Sequence, residues 1–362
     1  MHPLKKRANR VIAERDFVSP DEQPPLIPAA DQAIISETAE RIARANRKNG
    51  PVIMAFGAHL IKNGLGSVLI DLIEQGWLTH LATNGAGIIH DWEFAFQGAS
   101  SEHVQDNIAK GCFGHWEETG LYLNLAIVVG AYEGLGYGES IGAFIQNEGL
   151  VLPEPDNLRQ TIVQESDQNP EKAAAAADLL AVINQFKLKG GRFAVPHPYK
   201  RFSVQAAAYR LRVPFTAHPM FGHDVIYTHP ISRGAAIGRT AERDFLSFSD
   251  SISGIDSGVY LSVGSAVMSP MIFEKAFSMA QNISLQKEKK IERHYILVVD
   301  LAELDWNWAK QGEPPEDNPA YYLRFCKTFS RVGGTMRYLS ANNRDFLLAL
   351  AKELKQYQKA KE

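Results

Sequence analysis

Four histidines and one aspartate of this chain occur within 33 residues of one another. They are His197, His218, His223, Asp224 and His229. Imidazole can bind a metal or transfer protons near neutral pH, and a carboxylate can assist either role. The spacing matches neither HExxH nor CxxC, so proton transfer by at least one of these histidines is favoured over metal binding. Hydrogen-bonded structural histidines are the simplest alternative.

Lys327 is a candidate nucleophile in a helix predicted over residues 320–331. Arg324, Lys327 and Arg331 share one side of this helix, and aromatic residues form another. A solvated basic stripe is the simpler interpretation of this pattern. The functional alternative is a lysine that faces a cleft, where desolvation or nearby cations would lower its pKa enough for nucleophilic attack.

Three predicted strands end at glycines, close to where a helix is expected to begin. These glycines are Gly57, Gly264 and the pair Gly85 and Gly87. Free backbone N–H groups at the start of a helix favour an anion such as a pyrophosphate, and open α/β sheets bind ligands beyond the carboxyl ends of their strands. A G-x-G-x-x-G motif is absent, so a nucleotide site would be of a variant type. The alternative is that these glycines only form tight turns.

The elements that must position these residues alternate between strands and helices. This alternation predicts an α/β fold: a Rossmann-like, doubly wound, mostly parallel sheet with helices on both faces. Residues 224–228 are predicted to be one of its strands. Residues 1–30 are charged and rich in proline, so we expect an extended surface arm there. No polar linker divides the remainder, which predicts a single large α/β domain over residues 31–362.

Composition narrows the class of protein. Apolar residues make up 45% and charged residues 22%, an ordinary globular balance, and the net charge of −3 gives no basic field for nucleic acid. Cys112 and Cys326 lack CxxC spacing and are expected to be reduced thiols. Neither a signal peptide nor an apolar run of about 18–20 residues is found. We therefore expect a cytoplasmic protein with a small-molecule substrate and neither a nucleic-acid nor a membrane partner.

Several of these segments resemble, in the same order, those of the deoxyhypusine synthase family, from about residue 50 to residue 350. Residues 57–64 are similar to the family's Thr-Ser-Asn-Leu-Ile-Ser-Ser-Gly turn, and residues 83–87 to its Thr-Thr-Ala-Gly-Gly turn. Residues 222–229 resemble its Gly-Asp-Met-Ile-Phe-Phe-His stretch, and residues 263–267 its Gly-Gly-Gly-Val-Val loop. Residues 319–327 are similar to its Pro-Asp-Glu-Ala-Val-Ser-Trp-Gly-Lys segment.

The resemblance implies an NAD-binding fold, a homotetramer, and transfer of an aminobutyl group from spermidine to a protein lysine. It implies that Lys327 forms an imine intermediate and that His229 is the catalytic histidine. The cofactor contacts that it implies come from Gly57, Ala58, His59, Thr83, Asn84, Gly85, Gly87, Asp224, Gly264 and Ser265. Substrate contacts are expected from His90, Asp91, His218 and His223.

Residues that bind spermidine in that family are replaced here. Ala320 and Tyr321 stand in place of Asp-Glu, and Phe325 in place of Trp. A polyamine needs carboxylates to offset the desolvation of its ammonium groups, so the predicted substrate is a polyamine or another polar metabolite. Two other functions stay open. One is a metal-assisted hydrolase or sugar-phosphate isomerase that uses the segment His197–His229, and the other is a non-catalytic nucleotide-binding regulator.

Overall fold

The computed structural model describes residues 1–304 and 306–359. Its strands are β1 (Val11–Ile12), β2 (Val52–Phe56), β3 (His80–Thr83), β4 (Ala99–Ser100), β5 (Gly149–Leu152), β6 (Gly191–Ala194), β7 (Phe215–Ala217), β8 (Val259–Val263), β9 (Tyr295–Asp300) and β10 (Thr335–Ser340).

The α-helices are α1 (Ala13–Asp16), α2 (Ala29–Arg47), α3 (Ala58–Lys62), α4 (Gly66–Glu74), α5 (Gly85–Gln97), α6 (Val104–Ala109), α7 (Glu117–Glu133), α8 (Tyr137–Gln146), α9 (Pro155–Glu165), α10 (Pro170–Phe186), α11 (Val204–Leu211), α12 (Gly234–Ser253), α13 (Met268–Gln286), α14 (Trp308–Gln311), α15 (Arg324–Ser330) and α16 (Asn343–Lys359). Short 3₁₀ turns cover Leu4–Lys6, Lys200–Phe202, Val225–Thr228 and Pro319–Tyr322. Of the helices that the structure describes, none has both the length and the apolar composition needed to cross a bilayer.

The described chain divides into two compact units, each assembled from separate stretches. The first unit contains residues 1–16 and 88–244, and the second contains residues 17–87 and those from 245 onward. Residues 1–16 contribute buried side chains to the first unit, among them Leu4 and Arg7. The single domain that the sequence suggested after an N-terminal arm stays a prediction.

The second unit is built on parallel strands in the order β10-β9-β8-β2-β3. Neighbouring strands are in register, with Phe56 of β2 opposite both Thr83 of β3 and Val263 of β8. Every residue of β2 and β8 is buried, as expected of strands with helices on both faces. The predicted α/β class with a mostly parallel sheet is confirmed.

Helices cover both faces of this sheet because alternate side chains of each strand point to opposite sides. On one face, Ile53, Tyr260 and Ile296 pack in a common core with α13 and α15. On the other face, the Tyr295 hydroxyl lies 2.9 Å from the Thr38 hydroxyl of α2, and α2 packs along α16. Because helices cover both faces of the sheet, the loops at the ends of the strands are where functional residues can be exposed.

The first unit is mainly helical, with α7, α8, α10 and α11 packed together and β5 paired antiparallel with β6. The strand predicted over residues 224–228 is wrong, since Val225–Thr228 is a 3₁₀ turn. Its backbone bonds locally, with the Tyr227 N–H 3.3 Å from the Asp224 carbonyl oxygen. The Asn124 side-chain amide of α7 also donates to the Ile226 carbonyl at 2.9 Å, so these backbone groups bond outside any sheet.

Candidate functional site

The strand order of the second unit reverses between β2 and β8. From β2 the chain proceeds to β3 on one side, whereas β9 and then β10 follow β8 on the other side. In open α/β sheets such a reversal separates the loops at the carboxyl ends of the two central strands, and the resulting crevice is the usual ligand site. We call the side of this sheet on which β2, β3 and β8 end the carboxyl edge.

Gly57 and Gly264 follow the two central strands and are in direct contact at the carboxyl edge. The Gly57 N–H donates to the Val263 carbonyl at 3.2 Å. A Cβ atom on Gly57 would lie 2.1 Å from the Gly264 carbonyl oxygen, and Gly264 itself has a φ of +57°. Both positions therefore require glycine, because a side chain would force the two strand ends apart or strain the turn.

The third predicted turn, after β3, lies at the same edge. The Thr83 hydroxyl donates to the Phe56 carbonyl at 3.0 Å, which ties the end of β3 to the end of β2. Gly87 packs on Thr83, since a Cβ atom there would lie 2.3 Å from the Thr83 Oγ1 atom. Asn84 accepts from the Gly87 N–H at 2.9 Å, and α5 begins between them at Gly85. The structure thus brings the three glycine turns together.

Other predicted cofactor residues also follow these strands. Ala58 and His59 begin α3 directly after Gly57, and His59 is exposed. Ser265 is buried, and its hydroxyl accepts from the Ser269 N–H at 3.1 Å, where α13 begins. Its hydroxyl therefore caps a helix in this structure.

Two polar residues at this edge were missed by the sequence reasoning. Asp300 is the last residue of β9 and accepts from the Ala302 N–H at 3.1 Å. Asn343 begins α16, and its side-chain Nδ2 would lie 2.6 Å from a Cβ atom on Gly264. The sequence carries a signal for Asp300, since an acid directly follows the apolar run Tyr295–Val299.

Lys327 lies on α15 in the second unit, and its described contacts are local. Its Nζ atom is 3.3 Å from Glu313 Oε1 and 3.2 Å from the centre of the Tyr321 ring. Burial lowers the pKa of Lys327, but the interactions with Tyr321 and Glu313 outweigh it, so this pKa is raised above its ordinary value. The lowered pKa expected for a nucleophile is therefore absent from this conformation, and the ammonium form is stabilised.

His229 lies in the first unit and is buried against α7. Its Nε2 atom is 3.5 Å from Glu117 Oε1, and its Nδ1 atom accepts from the Ile231 N–H at 3.1 Å. This pairing assigns the ring proton to Nε2, facing Glu117. Burial lowers the pKa of His229, and Glu117 opposes the shift. Gly120 makes the close packing possible, because a Cβ atom there would lie 2.6 Å from His229 Cβ.

Asp224 is a buried acid in the same segment. Its Oδ2 atom has no hydrogen-bond partner among the described residues, and burial raises the pKa of this carboxyl to about 7. The hydroxyls of Tyr137 and Tyr227 also lack a partner within the described chain. Burial raises the pKa of both tyrosines, and the nearby Asp224 carboxylate raises each further. The Asp224 carboxyl and the two tyrosine hydroxyls thus lie near one another without forming hydrogen bonds to one another, which is unusual for a protein interior.

His90 and Asp91 have separate partners in the first unit. His90 Nδ1 lies 2.8 Å from the Ser100 hydroxyl. Asp91 is buried and accepts from the Ser203 hydroxyl at 2.6 Å and from the Val204 N–H at 2.8 Å, at the start of α11. These bonds explain why an acid is buried there: it satisfies the N–H groups of a helix end.

The remaining histidines do not form one cluster. His197 is buried among aromatic rings, where its Nε2 atom accepts from the Trp92 indole at 3.0 Å and burial lowers its pKa to about 4. His218 Nε2 lies 3.0 Å from the Thr216 hydroxyl, and His223 is exposed. Within residues 1–304 and 306–359, no group of three or more His, Cys, Asp or Glu side chains is placed to hold a metal ion.

Comparison with known proteins found similarity only to solved structures. No family model matches, and no curated protein matches. The ternary complex of AgrE with ornithine and NAD+ is 11% identical with a TM-score of 0.45, over 92% of this chain and 34% of that one. A conserved putative LOR/SDH protein from Methanococcus maripaludis S2 is 12% identical with a TM-score of 0.41, over 93% of this chain and 71% of that one.

A putative deoxyhypusine synthase from Entamoeba histolytica is 10% identical with a TM-score of 0.40, over 90% of this chain and 88% of that one. The chain spans about a third of the length of AgrE and of ArgZ, an arginine dihydrolase from cyanobacteria. Identities and scores this low assign no family, and the fold class rests on the strand order and register of this chain.

Proposed function

We propose that this chain is an NAD-dependent enzyme that carries its dinucleotide at the carboxyl edge of the second unit. One observation supports this proposal above the others. The strand order reverses between β2 and β8, and Gly57 contacts Gly264 at that point. This is where the topology of an open α/β sheet provides a ligand crevice, and the glycines allow the two central strand ends to approach closely there.

The residues at this edge fit the groups of a dinucleotide. Helix α5 is 13 residues long and begins at Gly85, so the N–H groups of Gly85 and Ala86, ahead of the Gly87 N–H that Asn84 accepts, can bind a pyrophosphate. The Asp300 carboxylate at the end of β9 is suited to accept hydrogen bonds from a ribose. Bound NAD would supply a hydride acceptor, and the chain's part is to hold and orient it.

The first experiment measures binding of NAD+ and NADH by titration calorimetry. Ala58→Trp places a large ring beside the proposed site, and we expect it to weaken binding at least tenfold. Ala30→Trp is the matched control, because Ala30 is an exposed residue in the first turn of α2. Thermal melts of both variants establish that they are folded. Failure of either dinucleotide to bind at millimolar concentration, or unchanged affinity in Ala58→Trp, contradicts the proposal.

We further propose a reaction of the deoxyhypusine synthase type, in which an amine substrate loses a hydride to NAD+ and a proton and so becomes an imine. Lys327 displaces the departing amine and holds the aminoalkyl group as its own imine. An acceptor amine then displaces Lys327, and the same hydride is returned to give the aminoalkylated product. The nearby Glu313 carboxylate stabilises the protonated lysine, so attack requires Lys327 to lose a proton and leave Glu313. His229 is the candidate proton carrier, because burial favours its neutral form. The substrate would be a polyamine or another polar amine.

Reductive trapping tests the role of Lys327. Protein is incubated with NAD+ and candidate amines, treated with borohydride and digested for mass spectrometry. We expect an adduct on the peptide that contains Lys327, absent from Lys327→Arg and retained in Lys310→Arg, whose lysine is exposed on α14. An adduct on another lysine, or wild-type turnover by Lys327→Ala, rules the imine out while leaving dinucleotide binding intact.

We also propose that the protein is cytoplasmic and assembles as a homotetramer. Light scattering on purified protein measures the assembly directly, with a mass of four chains expected. Tight NAD binding without turnover of any amine would instead favour the nucleotide-binding regulator.

A further inference from the structure

A small pocket lies within the first unit, between α7, α8 and β5. Its volume is about 230 Å³, and Val129, Ala143, Phe144 and Leu150 form apolar parts of its lining. Dividing this volume by the roughly 30 Å³ that one water molecule occupies in the liquid gives space for about eight water molecules. The pocket is therefore too small for a dinucleotide and suits a small metabolite.

The pocket is preformed by close packing of its two helices. Gly130 of α7 and Ser140 of α8 both line it, and a Cβ atom on Gly130 would lie 1.8 Å from the Ser140 hydroxyl oxygen. The Ser140 hydroxyl is itself bonded to the Gly136 carbonyl at 2.5 Å. Because the helices cannot approach further, the space beside them is a fixed feature of the packing.

Two opposite charges line the same pocket. Glu133 is the last residue of α7, and Arg192 lies on β6. Arg192 Nη2 donates to the Asn147 carbonyl at 2.7 Å, which fixes the guanidinium near the pocket. Lys172 is the nearby cation that acts on Glu133, and its ammonium is bound to the carbonyl and ring of Tyr132. The lining thus combines an anion, a guanidinium and an apolar wall.

We propose that this pocket binds a small zwitterion, specifically a free α-amino acid with a short apolar side chain. Arg192 would bind the carboxylate, Glu133 the ammonium group, and the wall around Ala143 and Phe144 the side chain. Guanidinium–carboxylate hydrogen bonds are among the strongest in proteins, and burial of an aliphatic side chain adds to them. L-Valine is small enough for a pocket of about 230 Å³.

Other ligand classes fit the lining less well. A phosphate would bring its charge against Glu133, and an amine without a carboxylate would leave Arg192 without a ligand partner. A wholly apolar molecule would use neither charge and would desolvate both. The zwitterion is the class that gives every part of the lining a complementary group.

Calorimetry with L-valine, N-acetyl-L-valine and L-valinamide tests the proposal. We expect L-valine to bind, and each derivative to bind at least about tenfold more weakly, since one charged hydrogen-bonding group is lost. Arg192→Met should weaken L-valine binding and remove the preference for L-valine over L-valinamide. Glu133→Gln should likewise remove the preference over N-acetyl-L-valine. A substitution that only destabilised the first unit would weaken binding of all three compounds and would not remove one preference selectively.

Ala143→Leu fills the pocket and should abolish L-valine binding. Ala177→Leu on the exposed side of α10 is its matched control and should bind as wild type does. Failure of L-valine, L-leucine and L-isoleucine alike to bind at about 10 mM overturns the proposal. So does binding that Ala143→Leu leaves unchanged. NAD titration of the same variants reports separately on the proposed function, because the pocket belongs to the first unit.

Discussion

The glycine turns of the second unit and the histidine segment of the first unit gave equally prominent signals in the sequence but have different outcomes in the structure. The glycines meet because parallel strands in register must end at one edge of their sheet. The histidines separate because His197, His218 and His229 follow different elements with different local partners. Which strand ends meet could be predicted from the sequence, because the topology of a parallel sheet determines it. Which side chains lie close to one another could not be predicted.

Among substitutions in these two regions, Asp224→Asn in the histidine segment should change stability most. The folded-state pKa of about 7 is higher than the ordinary value near 3.8, so the folded protein must bury a carboxylate as pH rises. The resulting loss of stability is absent below about pH 4, grows between pH 4 and 7, and is complete above pH 7. It amounts to at most about 4 kcal/mol, from 1.36 kcal/mol per pH unit.

We therefore expect Asp224→Asn to unfold at higher denaturant concentration than wild type at pH 8, with a smaller advantage at pH 5. Urea unfolding of both proteins at pH 5 and pH 8 measures this difference in stability. An equal advantage at both pH values would show that the Asp224 carboxyl does not titrate in this window. A buried acid with an oxygen that has no partner in the described chain is the kind of group that can bind a ligand.

Gly57→Ala should have the next largest effect and addresses the other side of the comparison. The added Cβ atom would overlap the Gly264 carbonyl oxygen at 2.1 Å, so we expect a loss of about 3 kcal/mol in the free energy of unfolding. Gly254→Ala is the control, because its nearest neighbours would be at 3.7 Å or beyond. Urea unfolding that ranks the two variants equally would show that the strand ends are not in contact.

Glu117→Gln should have a moderate effect, confined to the first unit. The carboxylate raises the pKa of His229, so its removal should lower that pKa further below the ordinary histidine value. Titration of the His229 ring signals by NMR measures the shift. Glu118→Gln is a neighbouring control on the same helix, because Glu118 bonds the Leu4 N–H instead. An unchanged pKa in Glu117→Gln would remove Glu117 as the partner of His229.

Glu313→Gln should have the smallest effect. It removes an exposed partner that holds Lys327 protonated, and interactions between exposed charges are weak. We expect a modest fall in the pKa of Lys327 and therefore faster acylation of its amine at pH 8, measured by mass spectrometry of the labelled peptide. Acylation slower than in wild type would contradict the assignment of Glu313 as the group that stabilises the ammonium form.

The parts of the fold predicted correctly follow from local patterns. Apolar runs such as Val52–Phe56 and Val259–Val263, each followed by glycine, correctly predicted buried parallel strands and the glycines that meet at their ends. The strand predicted over residues 224–228 is wrong, because its apolar residues belong to a short turn that is bonded to α7. Partners far away in the chain could not be predicted, such as Glu117 for His229 or Ser203 for Asp91, since nothing local encodes them.

Hydrogen–deuterium exchange with and without NAD+ locates the dinucleotide on the second unit. If NAD+ binds at the carboxyl edge, its addition should slow amide exchange in residues 57–62, 84–88 and 264–268, which follow β2, β3 and β8. Residues 46–51 and 76–79, which precede β2 and β3, should be unchanged and act as the internal reference. Protection of those preceding segments, or of neither set at saturating NAD+, would contradict binding at the carboxyl edge.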